Sequence, residues 1–101
     1  MKQLLCAESE VPAEGAKEVD FFGRPALLYR RDEAIVGALS ICSHLGGPLE
    51  LRRDQLVCPW HGASFDATSG KCARGPAHSD ARAMLLPLRI QDGSIYYVWG
   101  E

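Results

Sequence analysis

Residues 41–66 read ICSHLGGPLELRRDQLVCPWHGASFD and hold two of the chain's four cysteines and two of its three histidines. They form two unequal pairs, Cys42-x-His44 and Cys58-x-x-His61, separated by 13 residues. Gly46 and Gly47 follow the first pair and Gly62 the second. Either spacing lets a thiolate and an imidazole from one tight turn face a single centre. These are the soft-to-borderline donors that zinc and iron take. Two Cys and two His satisfy a tetrahedral zinc ion. They equally satisfy an iron–sulfur cluster in which two histidines replace two cysteines on one iron. Ligand identity alone leaves both open.

Outward from this stretch the sequence alternates with the period of strands. On the N-terminal side AIVGALSI (34–41) sets Ile35, Leu39 and Ile41 on one face and Ala34, Val36 and Ala38 on the other. KEVDFF (17–22) turns Val19 and Phe21 inward, and GRP (23–25) is expected to turn the chain. ALLYRR (26–31) then returns with Leu27 and Tyr29 on one face, before a second turn at RDE (31–33). The three segments make a meander of hairpins. On the C-terminal side MLLPLRI (84–90) is expected as one edge strand, with Met84, Leu86, Leu88 and Ile90 on one face and Pro87 opposite. QDGS (91–94) is a hairpin turn with Asp92-Gly93 at its tip, and IYYVW (95–99) closes the chain. Residues 7–17 are expected as a loop or single helical turn, and residues 77–84 have room for another. An all-β fold follows, with the Cys/His turns inserted between meander and terminal hairpin.

Composition narrows the class of protein. At 101 residues one domain is expected, small enough to gain from a metal staple. The formal charge of −2 gives no sign of a nucleic-acid-binding surface. Acidic residues gather in 1–20 (Glu8, Glu10, Glu14, Glu18, Asp20), while Arg52, Arg53, Lys71 and Arg74 lie in 42–78. No apolar run reaches the ~18 residues of a membrane span, and the N-terminus lacks the pattern of a signal peptide. A cytoplasmic setting is expected, where Cys/His groups favour metals over disulfides.

CSHLGGPL (42–49) and CPWHGASFD (58–66) resemble the two cluster-binding boxes of the Rieske [2Fe-2S] family, Cys-x-His, a spacer, then Cys-x-x-His-Gly. The likeness continues through TSGKCARGPA (68–77), where members of the family carry a turn and a Gly-Pro loop that covers the cluster. It extends from about Leu4 to Trp99. The resemblance implies a Rieske-type fold, with an antiparallel sandwich base and a small cluster-binding subdomain. One domain over 1–101 is expected, with cluster-binding loops at about 42–49 and 58–66 and a cover loop at about 70–78. It implies one [2Fe-2S] cluster, with Cys42 and Cys58 on one iron and His44 and His61 on the other. Neutral imidazoles in place of thiolates make their iron easier to reduce.

Some positions depart from the respiratory-complex branch of that family. Gly47 and Trp60 stand where each box there has an extra cysteine, so its disulfide is absent here. Ala63 and Phe65 stand where that branch has a Ser and a Tyr whose hydroxyls bond the cluster sulfurs. The resemblance therefore implies a potential near the low end of the roughly −150 to +300 mV Rieske range. Cys6 reads as a small buried hydrophobe, Cys72 as an inert thiol and His78 as a solvated loop residue. Trp60 and Leu45 read as packing or as the lip of a docking surface, and Tyr96, Tyr97 and Trp99 as hairpin aromatics.

No Ser/His/Asp set, phosphate-binding glycine loop or spare carboxylate pair accompanies the motif, so an electron carrier is expected rather than an enzyme. At 101 residues the iron-bearing catalytic domain of oxygenase large subunits is not expected to accompany it. By resemblance the chain is similar to the Rieske-type ferredoxins of bacterial ring-hydroxylating dioxygenase systems. Such a monomer takes electrons from an NAD(P)H-dependent flavin reductase and passes them to a terminal oxygenase through transient contacts. The alternatives are the small subunit of an assimilatory nitrite reductase and a zinc-stapled interaction module.

Overall fold

The computed structural model describes residues 1–40, 48–59, 63–74 and 83–100. Eleven strands form three antiparallel sheets among these residues. The central sheet holds β2 (Ala16–Phe21), β3 (Arg24–Arg31), β4 (Ala34–Leu39) and β9 (Leu85–Leu86), in that order. A terminal sheet pairs β1 (Lys2–Ala7) with β11 (Ser94–Val98), and β11 with β10 (Leu88–Gln91). A small sheet runs β5 (Glu50–Arg52), β6 (Gln55–Val57), β7 (Ser64–Asp66), β8 (Cys72–Arg74). The expected all-β sandwich with a small subdomain is what forms. No helix among the described residues is long and apolar enough to cross a membrane.

The central sheet is a middle layer, and the alternation of its side chains explains why. Leu27 and Tyr29 of β3, with Val36 and Ala38 of β4, enter a core shared with the small sheet's Leu56, Cys58, Ala63 and Phe65. Ala26 and Leu28, with Ile35 and Leu39, enter a second core shared with Cys6, Ile95 and Leu86. Both faces are thus buried, so Ala26–Tyr29 reads as an unbroken apolar run rather than a half-polar strand. Gly37 lies where the second core leaves no space, since a Cβ there would stand 2.9 Å from Leu28 Cδ2.

Three hairpins close through two-residue turns with both φ values positive: Phe22-Gly23, Asp32-Glu33 and Asp92-Gly93. That twist matches the strands they join. The last two fall where expected. The first is shifted: Arg24 and Pro25 already belong to β3, with Pro25 opposite Asp20. Proline's fixed negative φ cannot supply the conformation the turn needs.

Two other expectations are corrected. MLLPLRI is two strands rather than one: Leu85–Leu86 pairs with β4, and Leu88–Gln91 pairs with β11. Pro87 has no N–H to continue a ladder, and its carbonyl instead accepts from Val98 N at 3.1 Å. The single apolar face is lost with it, since Met84 and Ile90 are exposed while Leu86 is buried. Residues 7–17 contain a 3-10 turn at Glu8–Glu10, but β2 already begins at Ala16. The expected face position of Ile41, and most of the turn at 77–84, lie outside the described residues.

Candidate metal centre

The small sheet is inserted between β4 and β9, whose ends are held together. Leu39 N donates to Met84 O at 2.9 Å, and Ala38 pairs with Leu85. Ser40 follows β4 directly, and the first Cys/His segment starts there. Its N–H donates to Pro25 O at 2.9 Å, fixing where the chain leaves the central sheet. Its hydroxyl donates to Leu49 O at 2.9 Å and accepts from Leu49 N at 3.2 Å. One buried side chain thereby clasps both ends of the segment 41–48. A hydroxyl suits this because it can donate and accept at once.

The second Cys/His segment has a matching base. β6 and β7 pair antiparallel, and beyond them Cys58 N donates to Ala63 O at 2.8 Å, closing the tip 59–62. Cys58 and Ala63 have no exposed surface, while Pro59 is exposed.

A third clasp stands under the segment expected to form the cover loop. Ala83 N donates to Gly70 O at 2.8 Å, so the chain returns after residue 82 to where it left. Gly70 has φ +77°, and a Cβ there would lie 2.9 Å from the Ala83 carbonyl oxygen. No residue with a side chain fits without displacement. The turn below it is held by Asp66, whose carboxylate accepts from Thr68 N and Ser69 N, each at 2.8 Å. Those two backbone donors hold the Asp66 carboxyl below its usual pKa.

This turn is tied to the base. Tyr29 Oη donates to Ala67 O at 2.7 Å inside the first core, and Ala67 N donates to Asp54 O at 2.9 Å. Burial pushes the Tyr29 phenol up to about 12, because desolvation penalises the phenolate.

Leu49, Cys58, Ala63 and Ala83, the feet of all three segments, belong to the same core. Of the four expected ligands, Cys58 is described and stands there; Cys42, His44 and His61 lie outside the described residues. Gly46, Gly47, Gly62, Leu45, Trp60, Gly75, Pro76 and His78 lie outside them as well. Among the described residues no three potential ligands converge.

The donor set suits a metal group. Cys58 presents its sulfur among Leu49, Ala63 and Phe65, and cysteine sulfur is a donor that iron and zinc both take. Phe65 is fully buried and its side chain brings no hydroxyl. Ser64 points to the other face of its strand, as alternation requires.

The leftover cysteines separate. Cys6 is buried in the second core, across the central sheet from Cys58, as a small hydrophobe. Burial first, then Glu10, push its thiol up, with Lys17 opposing. Cys72 packs partly buried against the first core. The clasp residues Ser40 and Gly70 and the Tyr29 tether were not singled out from the sequence. The signals available were a serine ending an apolar strand and a glycine closing ATSG.

The sequence pattern of the Rieske [2Fe-2S] domain matches residues 1–89. Among curated relatives, the oxygenase component of dicamba O-demethylase from Stenotrophomonas maltophilia is 34% identical over 83 residues, 74% of this chain. The chain spans only 24% of that relative's length. A ferredoxin from Sphingomonas yanoikuyae B1 superposes with a TM-score of 0.80 at 21% identity, covering 99% of this chain and 100% of the ferredoxin. A chain from the complex of reduced oxygenase and oxidized ferredoxin in carbazole 1,9a-dioxygenase superposes with a TM-score of 0.77 at 22% identity, covering 95% and 91%. With the loops rooted in one core around Cys58, the chain belongs to the Rieske family, whose domain holds one [2Fe-2S] cluster.

Proposed function

We propose that residues 1–101 form one Rieske domain acting as a single-electron carrier, with Cys42 and Cys58 as ligands of one iron and His44 and His61 as ligands of the other. The observation that carries this reading is the rooting of all three loop segments in the core that buries Cys58. The cluster, when bound, supplies one-electron reduction and oxidation without bond making in a substrate.

The chain's own residues do the holding. Ser40 and Leu49 fix the span of the first box, and Cys58 with Ala63 fix the second. Gly70 and Ala83 bring the cover segment back to the same core. The apolar floor of Leu49, Ala63 and Phe65 keeps water from the Cys58 side of the site.

We infer a donor of the NAD(P)H-dependent flavin reductase class and an acceptor of the terminal oxygenase class, both bound transiently. The superposition on ferredoxins, one from a complex with its oxygenase, supports this reading. Identity with an oxygenase component favours a second reading, in which the domain is the electron entry module of an oxygenase.

The test is reconstitution with iron and sulfide, followed by reduction. A red-brown protein taking one electron, with a low average g value in EPR, is expected, and Cys58→Ser should lose it. Rapid mixing of the reduced protein with an oxidised terminal oxygenase should then re-oxidise it. A colourless protein that takes zinc in preference to iron and sulfide overturns the reading.

A further inference from the structure

A cleft of about 660 Å³ opens between Ala13–Gly15, the end of β3 and the β5–β6 turn. Its volume falls within the range of small-molecule sites. Its position follows from register. The first Cys/His segment leaves the central sheet at Ser40, beside Pro25. The cleft stands at Arg30 and Arg31, paired with Ile35 and Ala34 at the other end of the same hairpin. Six residues of strand put about 20 Å between the two.

Three guanidinium groups, Arg30, Arg31 and Arg53, line the cleft against two carboxylates, Glu14 and Asp54. The local balance is positive on a chain whose formal charge is −2. Among the described residues none of the five enters an ion pair with another.

Arg30 is fixed in place, with Nε donating to Val11 O at 3.2 Å and Nη2 to Glu8 O at 2.9 Å. Arg31 lies 5.6 Å from the Tyr29 ring centroid and donates from Nη2 to Arg53 O. Its Nη1 makes a long 3.4 Å contact with Arg30 O, and its Nε is buried without a hydrogen-bond partner. A buried donor of a charged group left unsatisfied is costly, and such an atom commonly marks a missing acceptor. Arg53 is exposed, held at φ +59° by its turn.

We propose that this cleft binds a small phosphomonoester carrying hydroxyl groups, such as a sugar or nucleoside monophosphate. Guanidinium forks match phosphate oxygens and are suited to hold them bidentately. Glu14 and Asp54 disfavour a bare polyanion and instead accept hydrogen bonds from the ligand's hydroxyls. Taking the ligand turns the Arg31 guanidinium towards the cleft, exchanging its contacts with Arg30 O and Arg53 O for charge-assisted ones and giving Nε an acceptor. The cleft stands at the opposite end of the β3–β4 hairpin from Ser40, where the first Cys/His segment leaves the sheet.

The test uses the cluster-loaded protein at physiological ionic strength, with ribose 5-phosphate and inorganic phosphate as probes. Saturable binding of ribose 5-phosphate, tighter than that of inorganic phosphate, is expected by calorimetry. The Arg31 Nε–H resonance should shift with the same saturation, a readout that needs no variant. Arg53→Gln removes a side chain without internal partners and should weaken binding at least tenfold. Arg24→Gln, at the other end of β3, should leave it unchanged. Absence of saturation up to about 10 mM, weaker than any millimolar Kd, overturns the site. Equal weakening by both variants reduces it to general charge attraction, and equal affinity for the two probes removes the role of the carboxylates.

Discussion

Tyr29→Phe removes one oxygen and isolates the tether between the base and the small sheet. Tyr29 has no exposed surface, and its hydroxyl is 2.7 Å from the buried Ala67 carbonyl. The phenyl ring still fills its place in the core, so the loss is polar. A neutral hydrogen bond contributes about 0.5–1.5 kcal/mol, and a buried carbonyl left without a partner costs about 1–3 kcal/mol. Because Ala67 O cannot reach water in the core, the upper range applies, and about 2 kcal/mol is expected. For a domain of this size that lowers Tm by roughly 8–16 °C. Urea unfolding of both proteins should show a lower midpoint with an unchanged slope.

The pH dependence gives a second arm. Burial holds the Tyr29 phenol up at about 12 in the folded chain, above the ordinary phenol value of 10.0. A raised folded pKa means the unfolded chain loses its proton first as pH rises. The phenol's contribution is therefore whole below pH 10 and is lost as pH climbs from 10 towards 12. The gap between wild type and Phe variant should narrow across that window. A variant within about 0.5 kcal/mol of wild type, the range of an ordinary surface substitution, would refute the tether, as would a gap that ignores alkaline pH.

Ser40→Ala should cost about 1–3 kcal/mol, because it strips the clasp from both Leu49 backbone groups; faster iron release to a chelator should accompany it. Gly70→Ala forces a Cβ to 2.9 Å from Ala83 O at φ +77°, and about 1–3 kcal/mol of destabilisation is expected by thermal unfolding. Phe65→Tyr places a hydroxyl where the chain has none, and the potential read by redox titration should rise. An unchanged potential would mean that the hydroxyl does not reach the cluster.

Much of this was legible in the sequence because the signals are local. Two-residue turns announce themselves through Asp92-Gly93, and the meander through strict alternation. Pro87 showed where reading from alternation alone fails. The residues on either side keep the same period, yet they serve different sheets, and only the pairing partners reveal it. The run Ala26–Tyr29 hid a middle layer for the same reason, since a second core on the far face depends on a terminal hairpin 60 or more residues away. The four expected ligands could be named because their spacing is itself the pattern. The clasps beneath them depend on Ser40 meeting Leu49 and Gly70 meeting Ala83, and neither partner carries a residue type that advertises the contact.

The pairing of β4 with β9 encloses residues 40–84 as one insertion in an otherwise simple hairpin sandwich. Closing a loop of about 45 residues costs on the order of 3 kcal/mol in chain entropy beyond the constant term. The three clasps divide that large loop into smaller ones, each closed by its own hydrogen bonds. Loading the metal group would tighten the same enclosure from the opposite end. Assembly of the base and capture of iron are therefore coupled through chain entropy, and the insertion behaves as a cassette. Another antiparallel strand pair of matching separation and twist could receive it, provided a neighbouring strand also supplied the equivalents of Leu27 and Tyr29 that complete its core.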